Sequence, residues 1–177
     1  MAGWHLLPFT MQTQEQRNWC WAGVTASIAA FFDSGTRQTQ CVVADAQLRR
    51  NDCCAAGAAG PCNVYGYLAS ALYRIGHLKA WSPGRPATLA RAQSEIDLGR
   101  PLCLRVAWRS GGAHFLTIVG YLPSSEALAG SQLLAVDDPQ WGPSDVPYDV
   151  LCADYRQDGR WTDSYFTKTK ARRDVPG

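Results

Sequence analysis

The chain has 177 residues, 46% hydrophobic and 18% charged, which suits one domain with a buried core. Its formal net charge of +2 gives no reason to expect a nucleic acid or an anionic membrane as a partner. No apolar run approaches the roughly 18 residues of a membrane-spanning helix. The N-terminal "MAGWHLLPF" lacks the features of a signal peptide, although a signal could have been removed or the domain excised from a longer protein.

The first half of the chain predicts helices. An alanine-rich run from Trp19 to Phe32 is apolar on most faces, which predicts a central, buried helix that ends at "DSG". Three further helices are predicted, over Gln40–Arg49, Asn63–Gly76 and Thr88–Leu98. Glycine- and proline-containing loops are expected at Asn51–Cys62 and Trp81–Ala87.

After Gly99 the pattern becomes that of strands. Alternating and β-branched runs predict strands over Leu102–Trp108, His114–Tyr121 and Gln132–Asp138, and "VPYDVL" and "RWTDSYFTK" predict one or two more. Helices followed by strands predict an α+β fold with a helical lobe packed on an antiparallel sheet or half-barrel. We expect a single domain over 1–177, with a helical lobe over about 12–98, a β lobe over about 99–170 and a short polar tail.

Seven cysteines are many for this length, and four of them fall within 22 residues. These four are Cys41, Cys53, Cys54 and Cys62. They predict at least one disulfide and an oxidising compartment. Free thiols and a zinc site are the alternatives, but the cluster has no C-x-x-C spacing and no histidine. The odd total leaves at least one cysteine unpaired, and Cys20 is our candidate.

Cys20 lies between two tryptophans at the start of the first predicted helix, in "QEQRNWCWAGV". A cysteine in an apolar run is often a buried structural residue. It is a nucleophile only as a thiolate, which a helix N-terminus and a nearby imidazolium both favour. The sequence places Cys20 at a helix N-terminus. A nucleophilic role would then also require a histidine from elsewhere in the chain.

The chain has three histidines, and His114 has the most suggestive position. It follows the turn "SGGA" and opens an apolar strand, where a side chain can project into a cleft. His5 lies in an irregular stretch, and His77 follows the helix-ending Gly76, where a contact with the helix end is expected. By itself His114 could equally be an ordinary strand-end residue.

A third group would hold the imidazole in place. The strand that ends in "AVDDPQWG" supplies two carboxylates, Asp137 and Asp138. Consecutive strand residues point to opposite faces, so only one of them can reach His114. The other is expected to face solvent or a turn.

Together these residues resemble papain-like cysteine peptidases. That family has a glutamine six residues before a Cys-Trp pair, here Gln14 and Cys20–Trp21, and a histidine that leads a strand, here in "GGAHFLTIVGY". An Asn or Asp then ends a following strand, with a tryptophan soon after, here in "DDPQWG". The compact length, the Asp and the Asp-Pro step are more similar to bacterial members: staphopains, plant-pathogen effector peptidases and bacteriocin leader peptidases. The resemblance extends from about Gln14 to Gly142.

The resemblance implies a papain-like fold with an active-site cleft between the lobes, and a thiol peptidase that forms an acyl-enzyme. Its triad would be Cys20, His114 and Asp138, the last chosen over Asp137 because it precedes Pro139 as in the bacterial members. The oxyanion hole would combine the Cys20 backbone N–H with the side chain of Gln14, for which Gln16 is a lesser candidate. Trp21 would support the helix start, and Trp141 would shield the His–Asp contact.

No cofactor or metal is implied, and a peptide or protein substrate is expected for a monomeric, secreted or translocated bacterial effector, with a cytoplasmic location as the alternative. The chain departs from papain in having "QRNW" before Cys20, with no preceding cysteine, so papain's disulfide pairing cannot be carried over.

Two other functions are compatible with the same residues. Transglutaminases and deamidases use a Cys–His–Asp triad for acyl transfer on glutamine side chains. A catalytically silent binding module could also keep this scaffold. Release of ammonia without peptide cleavage would favour the first, and an unreactive Cys20 would favour the second.

Overall fold

The computed structural model describes residues 3–55, 60–123 and 132–170. In these residues the elements are, in chain order, β1 His5–Leu6, α1 Cys20–Phe32, α2 Gln40–Leu48, α3 Leu68–Arg74, β2 Leu78–Ser82, α4 Leu89–Asp97, β3 Leu102–Trp108, β4 Ala113–Tyr121, β5 Leu133–Asp138, β6 Gly142–Pro147, α5 Tyr148–Ala153 and β7 Gly159–Thr167. None of the helices in this part of the chain has the length and apolar character needed to cross a bilayer.

The strands form one antiparallel sheet in the order β2-β7-β3-β4-β5-β6, and the short β1 pairs with β4. The centre of the sheet is β3, which is bonded to both β4 and β7. His114 on β4 lies opposite Val106 on β3. The prediction of an α+β fold with helices packed on an antiparallel sheet is confirmed.

Two groups of buried side chains make up the core. The first surrounds α1, in which every residue from Cys20 to Ala29 is buried, and joins it to α2, α3 and one face of the sheet. The second lies between the other face of the sheet, α4 and α5. Both β2 and α4 precede the lobe boundary predicted near residue 98, yet they associate with the sheet.

Several predicted elements needed correction. The "VPYDVL" run is not one strand: β6 ends at Pro147 and α5 begins at Tyr148, since the fixed φ of proline suits the entry to a helix. Trp81 and Ser82 belong to β2 rather than to a loop, because they pair with Tyr165 and Ser164 of β7.

The helix predicted from Asn63 begins only at Leu68. The backbone before it accepts hydrogen bonds from the indoles of Trp19 and Trp21 and cannot enter the helix.

Candidate active site

Helix α1 begins at Cys20, which is 4% exposed. The residue before it, Trp19, occupies the N-cap position without a capping side-chain bond, and its indole N–H instead donates to the carbonyl of Cys62 at 2.7 Å. A capping side chain normally accepts hydrogen bonds from the N–H groups of the first helical turn. Trp19 makes no such bond, and the Cys20 side chain lies at this positive end of the helix, where an anion is stabilised.

The segment after Cys62 supports the start of this helix. Asn63 accepts from the Asn18 backbone N–H at 3.0 Å through its side chain, and from the Asn18 side chain at 2.9 Å through its backbone carbonyl. The Trp21 indole donates to the carbonyl of Val64 at 3.1 Å. The residues on both sides of Cys20 are thus bonded to one short segment.

That segment follows a pair of disulfides. Cys41 is bonded to Cys54 and Cys53 to Cys62, so the prediction of at least one disulfide in this cluster is confirmed. Asp52 groups with the sulfur atoms of Cys53 and Cys62 at metal-ligand spacing, but in this pairing neither sulfur is a thiolate. The free cysteines are Cys20, Cys103 and Cys152.

His114 joins the thiol to a carboxylate. Its Nε2 lies 2.8 Å from Oδ1 of Asp138, and the ring also forms a hydrogen bond with the side chain of Cys20. Because Asp138 occupies Nε2, Nδ1 is the nitrogen that remains available to the sulfur. The imidazole is 3% exposed and the Asp138 carboxylate 1%.

The charge on His114 is strongly stabilised. Burial by itself disfavours the imidazolium, but hydrogen bonds to Asp138 and Cys20 and the charges of both outweigh it and raise the pKa of His114 to about 9. At neutral pH the imidazole therefore carries its proton. The protonated ring therefore lies beside both the Cys20 side chain and the Asp138 carboxylate.

Asp138 ends β5 and is held by several donors. Its Oδ1 accepts from the backbone N–H groups of Gln140 at 2.7 Å and Trp141 at 3.1 Å, and its Oδ2 accepts from the Tyr155 hydroxyl at 2.8 Å. Burial opposes the charge of Asp138, but the bond from His114, reinforced by the other donors, lowers its pKa. The carboxylate thus stays ionised with both oxygens bonded.

Asp137 points to the other face of β5, away from His114. It is only 8% exposed and accepts the backbone N–H of Met11, so the expectation that it faces solvent or a turn is wrong. The N-terminal segment, which the sequence did not predict to pack there, covers it. Burial, partly offset by the bond from Met11, raises the pKa of Asp137.

Aromatic rings border the imidazole. Trp141 meets His114 edge to face at a centroid distance of 5.0 Å and remains 41% exposed, and Trp108 stacks on the ring at 6.0 Å. The guanidinium of Arg156 lies 4.4 Å above the Trp141 ring. Sequence reasoning identified Trp141 but missed Trp108 and Tyr155, which no local motif marks.

Gln14 lies beside the Asp138 turn, since its backbone N–H donates to the carbonyl of Pro139 at 2.8 Å. Its side-chain Nε2 donates to the carbonyls of Arg17 at 2.7 Å and Gln16 at 3.0 Å. Its Oε1 is buried without a hydrogen-bond partner among the described residues. Gln16, the predicted lesser candidate, takes part in these contacts through its backbone carbonyl.

A cavity of about 720 Å³ opens next to His114 and is lined from both sides. Tyr65 to Ser70 contribute the helical side, and residues such as Arg105, Phe115 and Tyr165 contribute the sheet side. Ala113 and Phe115, the neighbours of His114, are in its wall. Its volume falls in the range of roughly 300–1,000 Å³ that is typical of ligand sites in proteins.

The other two histidines lie elsewhere. His77 is buried, its Nδ1 is 2.9 Å from the carbonyl of Lys168, and its backbone N–H donates to Leu72 at the end of α3. His5 pairs with Asp97 and Tyr121 on β4. Both are accounted for by structural contacts.

A model of the family described as papain-like cysteine protease AvrRpt2 matches residues 1–146, which include Cys20, His114 and Asp138. The chain belongs to this family. It is therefore a papain-like cysteine peptidase, a hydrolase, and the resemblance drawn from the sequence is confirmed. No curated protein matches the chain significantly.

The fold is shared with a solved structure of low sequence identity. Digestive procathepsin L 3 from the larval midgut of Tenebrio molitor is 10% identical over 88% of this chain and 67% of that chain, with a TM-score of 0.55. A double glycine motif protease from an AMS/PCAT transporter, solved in complex with the leader peptide, is 14% identical over 93% and 94% of the two chains, with a TM-score of 0.49.

Proposed function

We propose that the protein hydrolyses peptide bonds with Cys20 as nucleophile, His114 as proton carrier and Asp138 as the group that orients His114. The observation that carries the proposal is the continuous chain of hydrogen bonds from the Cys20 sulfur through the imidazole to Asp138. The Cys20 thiolate attacks the carbonyl carbon, and the proton on Nδ1 of His114 passes to the leaving amine as the C–N bond breaks. Water, deprotonated by His114, then cleaves the thioester and releases the acid.

The oxyanion of the tetrahedral intermediate would be stabilised by the Cys20 backbone N–H and the Gln14 amide. In the structure Nε2 of Gln14 faces two carbonyls, of which Gln16 is the more distant. The Gln16 carbonyl also accepts the Trp19 N–H at 3.0 Å. Gln14 can therefore turn one N–H from Gln16 to the oxyanion without leaving that carbonyl unpaired.

The substrate would be a peptide or protein whose chain enters the cleft between Tyr67 and Phe115. The two disulfides support action outside a reducing cytosol, as for a secreted or translocated bacterial effector. A monomer suffices for this mechanism, because one chain supplies all the groups named.

The test is turnover of a peptide library by the wild type, Cys20→Ala and Cys152→Ala, each confirmed to be folded by its thermal melt. Cys20→Ala should abolish turnover, and Cys152→Ala, which removes a half-buried thiol elsewhere, should not change it. Intact-mass analysis after reaction with a thiol-specific epoxide should show one adduct in the wild type and none in Cys20→Ala. More than trace turnover by Cys20→Ala would contradict the mechanism, and ammonia release without cleavage would favour deamidation.

A further inference from the structure

Gln40 is a buried polar residue that the proposed mechanism does not use. It is the first residue of α2 and only 1% exposed. Its Nε2 donates to the carbonyl of Thr13 at 2.9 Å, and its Oε1 accepts the backbone N–H of Glu15 at 3.0 Å. A carbonyl only accepts and an N–H only donates, so these partners determine the orientation of the Gln40 amide.

The two residues that Gln40 bonds are the neighbours of Gln14. This part of the chain is in neither a helix nor a strand, so it has no ladder of hydrogen bonds to hold it. The Gln40 amide bonds the Thr13 carbonyl and the Glu15 N–H, as the backbone of a neighbouring strand would. Further restraints on this segment include the bonds from Gln12 N–H to the Ser27 hydroxyl at 2.8 Å and from Gln14 N–H to Pro139.

The base that carries Gln40 is itself rigid. Thr39 caps α2 through its side chain, and Cys41 ties the first turn to Cys54. At Gly23 of α1, a Cβ would lie 3.3 Å from the Gln12 carbonyl and 3.6 Å from Oε1 of Gln40, so the two helices and the segment meet closely there. Displacement of the Gln40 amide would therefore be transmitted to Gln14.

We propose that Gln40 is a positioning residue that holds Gln14 at the distance and angle at which its amide reaches the oxyanion. The inference rests on the proposed function, because it assigns Gln40 a role only through Gln14. Rates are sensitive to such placement, since an error of about 1 Å in a positioned group can cost roughly 100-fold. The Gln40 amide bonds the backbone on either side of Gln14 and acts only through it.

The test is a double-mutant cycle of Gln14→Ala and Gln40→Met, with kcat expressed per Cys20 titrated by the epoxide. Methionine keeps the size of glutamine but forms neither bond. Gln40→Met should lower kcat about tenfold or more with KM within about twofold of the wild type, as expected for an interaction made in the transition state. The double variant should be no more than about twofold slower than Gln14→Ala, since Gln40 then has nothing to position.

Gln47→Met, on the same helix, is the matched control and should keep the wild-type kcat. Multiplicative losses in the double variant, or an unchanged kcat in Gln40→Met, would overturn the inference. If Gln40→Met yields no folded protein, Gln40→Glu, which keeps the acceptor for Glu15, is measured in its place against the same criteria. If Cys20→Ala retains activity, the proposed function is refuted. If Gln14→Ala keeps the wild-type kcat, only the oxyanion role of Gln14 and this inference are refuted.

Discussion

His114 lies between a thiol and a carboxylate, and two indole rings border it. A charge in so buried a position is tolerated because each of its partners is itself held in place. Asp138 accepts a hydrogen bond from the Tyr155 hydroxyl. Burial and the charge of Asp138 raise the pKa of Tyr155, so the hydroxyl stays protonated and acts as the hydrogen-bond donor. The protonation of the imidazole thus depends on Asp138 and, through Asp138, on Tyr155, which is not expected to react.

The raised pKa of His114 predicts an alkaline limit to activity. The imidazolium persists as pH rises until about 9, and above this it loses its proton and kcat/KM should fall. The same shift stabilises the fold: the contribution is fully present below about 6.5, the ordinary value for histidine, and is lost as pH rises through about 9. Measurement of kcat/KM and of the free energy of unfolding from pH 6 to 10 tests both.

Exchange of the carboxylates separates their roles. Asp138→Asn removes a charge that raises the pKa of His114, so the alkaline limb should move to lower pH and kcat should fall about tenfold or more. Asp137→Asn is the matched control, because Asp137 faces Met11, and it should leave the limb in place. The opposite pattern would give the orienting role to Asp137.

Among the elements, α1 and the segment before α3 depend on each other. The segment bonds the indoles of Trp19 and Trp21 through backbone carbonyls, and Gly66 lies against the Trp21 ring. A Cβ at Gly66 would overlap that ring, so a larger residue fits there only if the ring or the backbone shifts. The close fit of Gly66 and the two indole bonds hold this segment against α1.

Gly66→Ala should therefore destabilise the protein by about 1–3 kcal/mol, as overpacking in a filled core does. Part of the loss should appear in kcat, because Trp21 adjoins Cys20. Gly35→Ala is the control, since its Cβ would meet only the Asp33 carboxylate at an ordinary 3.4 Å. Urea denaturation of both variants measures the difference, and equal midpoints would contradict the prediction.

At the scale of the whole molecule, the first buried cluster carries Cys20, and the sheet carries His114 and Asp138. The candidate site exists only where these two parts meet, and the cleft is lined from both. The Cys53–Cys62 disulfide is buried within the first part, and the Cys62 carbonyl accepts the Trp19 indole N–H at the start of α1. A covalent bond in the helical part thus supports the start of the helix that carries Cys20.

Loss of the bond between Cys53 and Cys62 should lower both stability and activity. In the double variant Cys53→Ser/Cys62→Ser the free energy of unfolding should fall by about 2–4 kcal/mol, the usual effect of losing a disulfide. Turnover should also fall, because the segment after residue 62 then supports α1 less firmly. Cys103→Ala removes a buried thiol that forms no disulfide. It therefore serves as the control that separates the effect of the lost disulfide from the effect of losing a buried cysteine. Non-reducing peptide mapping that finds all four clustered cysteines alkylated would refute the pairing.

Local sequence predicted most elements and the three candidate catalytic residues. The strands Leu102–Trp108 and His114–Tyr121 are long runs whose own alternation and β-branching indicate their conformation. Cys20, His114 and Asp138 could be proposed because each lies in a short recognisable pattern, and the family match over residues 1–146 includes all three.

Tertiary structure alone decided which distant residues support them. Gln40 and Tyr155 stand 25 and 17 residues from their nearest hydrogen-bond partners in the site, and neither lies in a motif. Strand β2 forms because β7 offers it a partner, and the pairing of Cys41 with Cys54 depends on where α2 ends relative to the loop. A local pattern carries information about the backbone conformation of its own residues, whereas a hydrogen bond between separate elements depends on how the whole chain packs.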